Sequence, residues 1–116
     1  MRTLKRSECA VLSLVLKGKW YDAIEWGGKR EEYRACTPYW ETRLKNWAGQ
    51  GKQHVIEFRD GYAHNAPRMA FTGAMIDLHE THYSKREWAR PLFPWWGEPP
   101  GPHYVIPLDE RVELED

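Results

Sequence analysis

The run Val11-Leu12-Ser13-Leu14-Val15-Leu16 constrains the fold more than any other stretch. It is short and rich in Val and Leu, so it reads as a buried, central strand. A chain of 116 residues has the length for one such core and no second one. Seven Trp and six Tyr exclude a disordered chain, which would be poor in aromatics and strongly charged. Arg2, Lys5 and Arg6 precede the run as they would in a secretion leader, but Lys17-Gly18-Lys19-Trp20 follows where small residues would mark cleavage. No stretch approaches the roughly 18–20 apolar residues of a membrane span. Cys9 and Cys36 make no C-x-x-C pair, so the expectation is a reducing cytoplasm and two free thiols.

The elements that follow are short and alternate in type. Trp20, Ala23 and Ile24 recur at helical spacing, and Gly27-Gly28 ends that helix. Lys29–Cys36 reads as a strand with Glu32 and Arg34 on one face, since strand side chains alternate. Thr37-Pro38 opens a second helix, in which Trp40, Leu44 and Trp47 face the core and which Gly49 and Gly51 break. His54–Arg59 is strand-like, Asp60-Gly61 a turn, and Met69–Leu78 a longer strand with Gly73 as a bulge. Ser84-Lys85-Arg86-Glu87 is a capping box that predicts a short helix to about residue 90. The stretch Pro94 to Pro102 is a stiff loop holding Trp95 and Trp96, and Tyr104–Leu108 is expected to be the last strand. The expected architecture is α+β: one domain over residues 1–116, a small barrel or curled sheet with two to three short flanking helices.

Charge balance conceals an uneven distribution. Lys+Arg and Asp+Glu are 17 each, yet residues 1–68 carry 13 basic and 8 acidic groups and residues 69–116 carry 4 and 9. Five of those acids fall in the final octet, Asp109 to Asp116, which reads as an acidic tail able to compete for a basic cleft. A uniformly basic nucleic-acid binder is excluded, and were the chain to bind nucleic acid, this balance would favour a pocket for one nucleotide over a groove that tracks a long backbone.

Gly27-Gly28-Lys29-Arg30-Glu31-Glu32-Tyr33-Arg34 carries the densest chemistry and fits the pattern G-x-K-x-x-E-x-R. It sets a flexible ammonium at a helix-to-strand turn and a carboxylate beside a guanidinium on the strand that follows. Such a group binds an anion or a polar base edge, with Glu32 orienting Lys29 or Arg34. The plain alternative is a solvated salt-bridge ladder.

With Val11–Leu14, Trp20–Ile24, Thr37-Pro38-Tyr39-Trp40, Phe58–Tyr62, Asn65-Ala66-Pro67, Trp96-Gly97-Glu98-Pro99 and Tyr104–Leu108, that pattern resembles the ASCH (activating signal cointegrator homology) domains of the PUA-like superfamily. The likeness spans about residues 11–108. It implies a PUA-like β-barrel with a cleft lined by Lys29, Glu32 and Arg34, and a role in binding RNA or another nucleic acid. Tyr62 and Asn65 would reach the same cleft, and Trp96 would stack on a base. Some small members are N4-acetylcytidine amidohydrolases and others have been described as ribonucleases, for which Lys29 and Glu32 would be the catalytic pair. The amidohydrolases carry a Thr nucleophile where this chain has Glu32, and a carboxylate does not replace that hydroxyl in acyl transfer. The coactivator member of the family implies a third role, protein interaction through the loop around Trp95.

The expectation is therefore an RNA- or nucleoside-binding monomer without membrane association, cofactor or metal. Asp77, His79, Glu80 and His82 are potential metal ligands, but on a strand they divide between opposite faces. Trp20, Trp40 and Trp47 are expected in the core. Glu87 is explained by its capping box, and Asn65 has a plain role as a turn residue before Ala66-Pro67.

Overall fold

The computed structural model describes residues 1–73, 76–79 and 102–116. In chain order the elements are β1 (Thr3–Lys5), a 3-10 turn (Arg6–Glu8), β2 (Cys9–Leu16), α1 (Gly18–Glu25), β3 (Glu31–Ala35), α2 (Pro38–Ala48), β4 (Gln53–Asp60), β5 (Arg68–Thr72), β6 (Asp77–His79), β7 (His103–Pro107) and β8 (Arg111–Glu115). They form a five-stranded sheet in the order β1-β8-β5-β4-β2 and a three-stranded sheet in the order β3-β7-β6. The α+β class holds, with strands dominant and two α-helices. No helix among the described residues is long and apolar enough to cross a membrane.

The apolar run does become a strand, but at the edge of the large sheet and not at its centre: Ala10, Leu12, Leu14 and Leu16 bury one face, while on the other Val11 and Val15 are half-buried and Ser13 is exposed. Ala10, Leu12, Leu14 and Leu16 of β2 meet Ile56 and Phe58 of β4, Met69 of β5 and Ile106 of β7 in the main core. Tyr21 and Ile24 of α1 and Leu44 and Trp47 of α2 cap that core. Trp47 is held in place by its indole N–H, which donates to the Ala10 carbonyl at 2.9 Å. The alternate residues Cys9 and Val11 enter a second cluster with Leu4, Val55, Ala70, Val112 and Leu114.

That second cluster exists because the large sheet is rolled. β1 and β2 are its two edges, yet only the turn Arg6–Glu8 separates them in the chain. Five strands laid flat at about 4.8 Å spacing would hold those edges about 19 Å apart. The link from Lys5 to Cys9 spans at most about 15 Å even when fully extended, and less as a 3-10 turn. The sheet must curl until residues from both edges share one cluster. It nevertheless stays open in its hydrogen bonding, because β1 pairs with β8, β2 pairs with β4, and β1 and β2 are not neighbours in the ladder. The described strands thus form two open sheets where a closed barrel was expected.

Three further expectations need correction. The final octet is not a free tail: Arg111–Glu115 is β8, seated between β1 and β5, with Val112 buried. Alternation explains this, since Val112 and Leu114 share one face while the charges Arg111, Glu113 and Glu115 take the other. Tyr104–Leu108 is accordingly not the last strand, and its counterpart β7 is central in the small sheet. The long strand Met69–Leu78 is two strands, β5 in the large sheet and β6 in the small one. The division falls at Gly73, where an added Cβ would lie 2.9 Å from the Pro107 carbonyl oxygen, so the glycine admits close approach of β7 rather than a bulge. The helix expected after Ser84 and the Pro94–Pro102 loop, apart from Pro102, lie outside the described residues.

Candidate functional site

The charged motif is built from the end of α1. Gly27 adopts φ +90°, the left-handed conformation that closes a helix, and its N–H donates to the Ile24 carbonyl at 3.1 Å. The Lys29 N–H then reaches back to the Ala23 carbonyl at 3.0 Å, which fixes where the lysine leaves the backbone. Gly28 lies under the Trp26 ring, where an added Cβ would meet indole carbon at 2.0 Å. These two glycines turn the chain from helix to strand within a few residues, as the sequence predicts.

β3 then presents Glu32 and Arg34 on one face. Lys29 and Glu32 are buried, at 5% and 2% exposure, and the Arg34 side chain is 18% exposed. Glu32 is gripped from three sides. Lys29 Nζ donates to Oε1 at 3.2 Å, the Tyr33 backbone N–H donates to the same oxygen at 3.1 Å, and Arg34 Nη2 donates to Oε2 at 2.5 Å. The solvated ladder considered for this motif is therefore absent; the group is an internal ion triad carrying one excess positive charge.

Aromatic rings line the triad. Lys29 Nζ stands 5.0 Å from the Trp20 ring centroid and 5.3 Å from that of Tyr33. The Arg34 guanidinium carbon is 4.7 Å from the Trp40 centroid, and that of Arg43 is 5.1 Å from the same ring. Arg43 is anchored by a 3.1 Å hydrogen bond from Nη2 to the Ser13 carbonyl. Trp20 and Trp40 are expected in the core from their helical spacing, and Arg43 belongs to no motif of the sequence. Both tryptophans are only partly buried, packing one side on the main core and offering the other to cations. The signal was present in Trp40 and Arg43, three apart on α2 and hence on one face.

One donor in this group has no acceptor. Arg34 Nε is buried and makes no hydrogen bond among the described residues. An unmet buried N–H costs about 1–3 kcal/mol, which a fold normally avoids. With both Glu32 oxygens already engaged, what the triad offers a newcomer is donors and positive charge. The acceptor that suits it is a carbonyl or phosphate oxygen.

Tyr62 and Asn65 make no hydrogen bond to the triad among the described residues. Both lie in the β4–β5 connection, Tyr62 at 86% exposure and Asn65 also exposed. Asn65 sits inside the turn closed by the Ala66 N–H on the Ala63 carbonyl at 3.0 Å. Trp96 lies outside the described residues, as do Glu80 and His82 of the metal constellation weighed above. Lys29, Glu31 and Tyr33, together with Pro107 and Leu108, also border an open hollow of about 470 Å³.

Fold and site together define an α+β protein whose small sheet carries an internal Lys–Glu–Arg triad against indole rings. Comparison of this chain with protein-family models, with curated proteins and with solved structures returned no match.

Proposed function

We propose that this chain is an ASCH-type, PUA-like module that binds nucleic acid, RNA in the first instance, and captures a single-stranded or modified base beside the G-x-K-x-x-E-x-R segment. The observation that carries the reading is the unpartnered Arg34 Nε at an internal ion triad. Burying three charges costs several kcal/mol of desolvation per ion, repaid only by complete hydrogen bonding. A triad left one acceptor short is better explained as awaiting a ligand oxygen than as a stabilising device. In this reading Lys29 and Arg34 hold a base carbonyl or a phosphate, Glu32 orients both, and Trp40 supplies a ring face. Trp96, in the W-G-E-P segment of the family likeness, is the further stacking residue of the proposal. The rolled sheet with helices over its main core is compatible with a PUA-like barrel, and the sequence motifs supply the rest of that assignment.

Binding is preferred to catalysis because of Glu32. A carboxylate that already accepts from Lys29, Arg34 and the Tyr33 amide is committed to orienting those donors, with one of its roughly four lone-pair sites left over for a substrate. The test is fluorescence anisotropy with short single-stranded RNA over a range of salt. Arg34→Ala and Lys29→Ala should each weaken binding about tenfold or more, the loss of one charge-assisted hydrogen bond. Undiminished affinity in both variants would remove the cleft from the model. Turnover of N4-acetylcytidine or of labelled RNA that Glu32→Gln abolishes would replace the binding reading with an enzymatic one.

A further inference from the structure

The β4–β5 hairpin places two arginines directly opposite each other. Arg59 and Arg68 are register partners in the antiparallel ladder, and like charges so placed repel. Neither has an acidic partner within ion-pair distance among the described residues; the Arg59 side chain makes one hydrogen bond, from Nη2 to the Ala63 carbonyl at 2.7 Å. Its Nε is buried and unmet, so the same deficit found at Arg34 recurs here. Glu57, two residues before Arg59 and on the same face of β4, brings no relief. Both of its oxygens are taken by Arg6, at 3.1 and 2.7 Å. Arg68 also borders a hollow of about 360 Å³ that opens where β5 and β8 diverge, their pairing being limited to Ala70 with Val112 and Phe71 with Arg111. Within the connection that the two arginines bracket stands Tyr62, the most exposed large apolar side chain of the described residues.

We propose that the base of this hairpin is a phosphate site, in which Arg59 and Arg68 hold the phosphate group of a nucleotide unit and Tyr62 stacks on its base. Two guanidinium forks present more donors than a single carboxylate can accept, whereas a phosphate has oxygens for both. A phosphate group at this position relieves the repulsion and gives Arg59 Nε its acceptor. Tyr62 then has a role independent of the cleft beside Lys29, and this site stands whether or not that cleft binds RNA.

The experiment follows the Arg59 Nε–Hε resonance by NMR in isotopically labelled full-length protein. The titrants are inorganic phosphate, cytidine monophosphate, cytidine and a short single-stranded RNA. Phosphate and the monophosphate should shift the resonance saturably, and cytidine should not. Arg68→Gln, whose side chain has no ion pair or hydrogen bond among the described residues, should weaken phosphate binding about tenfold or more. Arg68→Lys should recover part of the affinity but not the fork geometry. Tyr62→Ala should weaken the monophosphate and leave inorganic phosphate unchanged. Competition by RNA at the same resonance would make the phosphate that of a strand, and binding of the mononucleotide alone would make it that of a free nucleotide. Absence of any shift with phosphate or monophosphate overturns the site, as does unchanged affinity in Arg68→Gln. A Lys29→Ala/Arg34→Ala double variant should retain the Arg59 shift. Its loss there would assign the anion to the cleft and overturn the hairpin site.

Discussion

Two buried carboxylates, each gripped by an arginine, stand at different places in this fold. Glu57 in the large sheet takes a two-pronged hold from Arg6, whose remaining Nε donates to Asp116 at 2.8 Å. Each of the three nitrogens of that guanidinium donates to a carboxylate, and the effect is to hold the turn between β1 and β2 and Asp116 against β4. Glu32 in the small sheet is held by two cations and an amide, yet Arg34 keeps an unmet Nε and both cations lie against indole rings. The first arrangement spends its hydrogen bonds on the fold, and the second retains one. That contrast separates a fastening from a candidate site more clearly than burial does, since both carboxylates are inaccessible.

Removing the final octet tests the fastening most severely. Loss of residues 109–116 deletes β8, strips β1 of its partner, exposes Val55, Ala70 and Leu4, and frees Arg6 from Asp116. Burial of the apolar groups concerned is worth about 4 kcal/mol or more. For a domain of this size that is a fall of about 20 °C or outright unfolding, read by circular dichroism. An unchanged melting curve would restore the octet to the status of a tail. Glu57→Ala comes next. It leaves Arg6 without its main partner and should cost about 2–3 kcal/mol in denaturant unfolding, below the figure for fully buried pairs because the Arg6 side chain is one-third exposed. Equal stability of Glu57→Ala and wild type would show that the Arg6 grip fastens nothing.

A crossed pair of variants sharpens the comparison at smaller cost. Arg34→Ala leaves Glu32 bound by Lys29 and the Tyr33 amide but strips Oε2 of its donor, a loss partly offset by removal of the unmet Nε, so it should cost about 1–2 kcal/mol while weakening RNA binding. Arg6→Ala should lower the melting temperature as well, but with RNA affinity intact. If both variants lose stability and neither loses affinity, the two carboxylates play the same structural role.

How much of this was legible in the sequence depends on the range of the interactions. The existence of the β2 strand, the two helices, the Gly27 closure and the shared face of Glu32 and Arg34 are local consequences of periodicity and capping, and the structure carries them as expected, whereas the edge position of β2 depends on strand order, which its apolar run does not disclose. The β8 strand escaped notice because five acids in eight residues outweigh Val112 and Leu114 in any compositional reading. Only pairing on both sides, with β1 and β5, gives those two side chains a place to be buried. The split of Met69–Leu78 was hidden for a related reason: a continuous apolar pattern does not disclose that its halves join different sheets. At the site, the internal character of the Lys29–Glu32–Arg34 group was not readable from spacing, because the surrounding Trp20, Trp40 and Arg43 come from both helices. The Arg59–Arg68 pairing needed the β4–β5 register, which no local motif specifies.

The smallest effect concerns the cluster beneath the fastening. Cys9 lies in that second cluster at 7% exposure, and burial pushes its thiol above the ordinary value of about 9. The folded state therefore holds the proton more tightly than the unfolded chain. The corresponding stability is fully present below the unfolded value and is lost as pH rises through the folded one. Tyr21, in the main core, is likewise pushed up by burial, but from an ordinary value of about 10, so its loss begins later. Melting curves taken from neutral to alkaline pH should decline first on the thiol's account, and Cys9→Ala should flatten that first part of the decline while leaving the later part. The slopes are the quantity to compare, because removing the sulfur also leaves a small cavity that lowers stability at every pH. Parallel slopes for wild type and Cys9→Ala would mean that the Cys9 thiol reaches solvent, and that the cluster under Arg6 and Glu57 is less closed than its packing indicates.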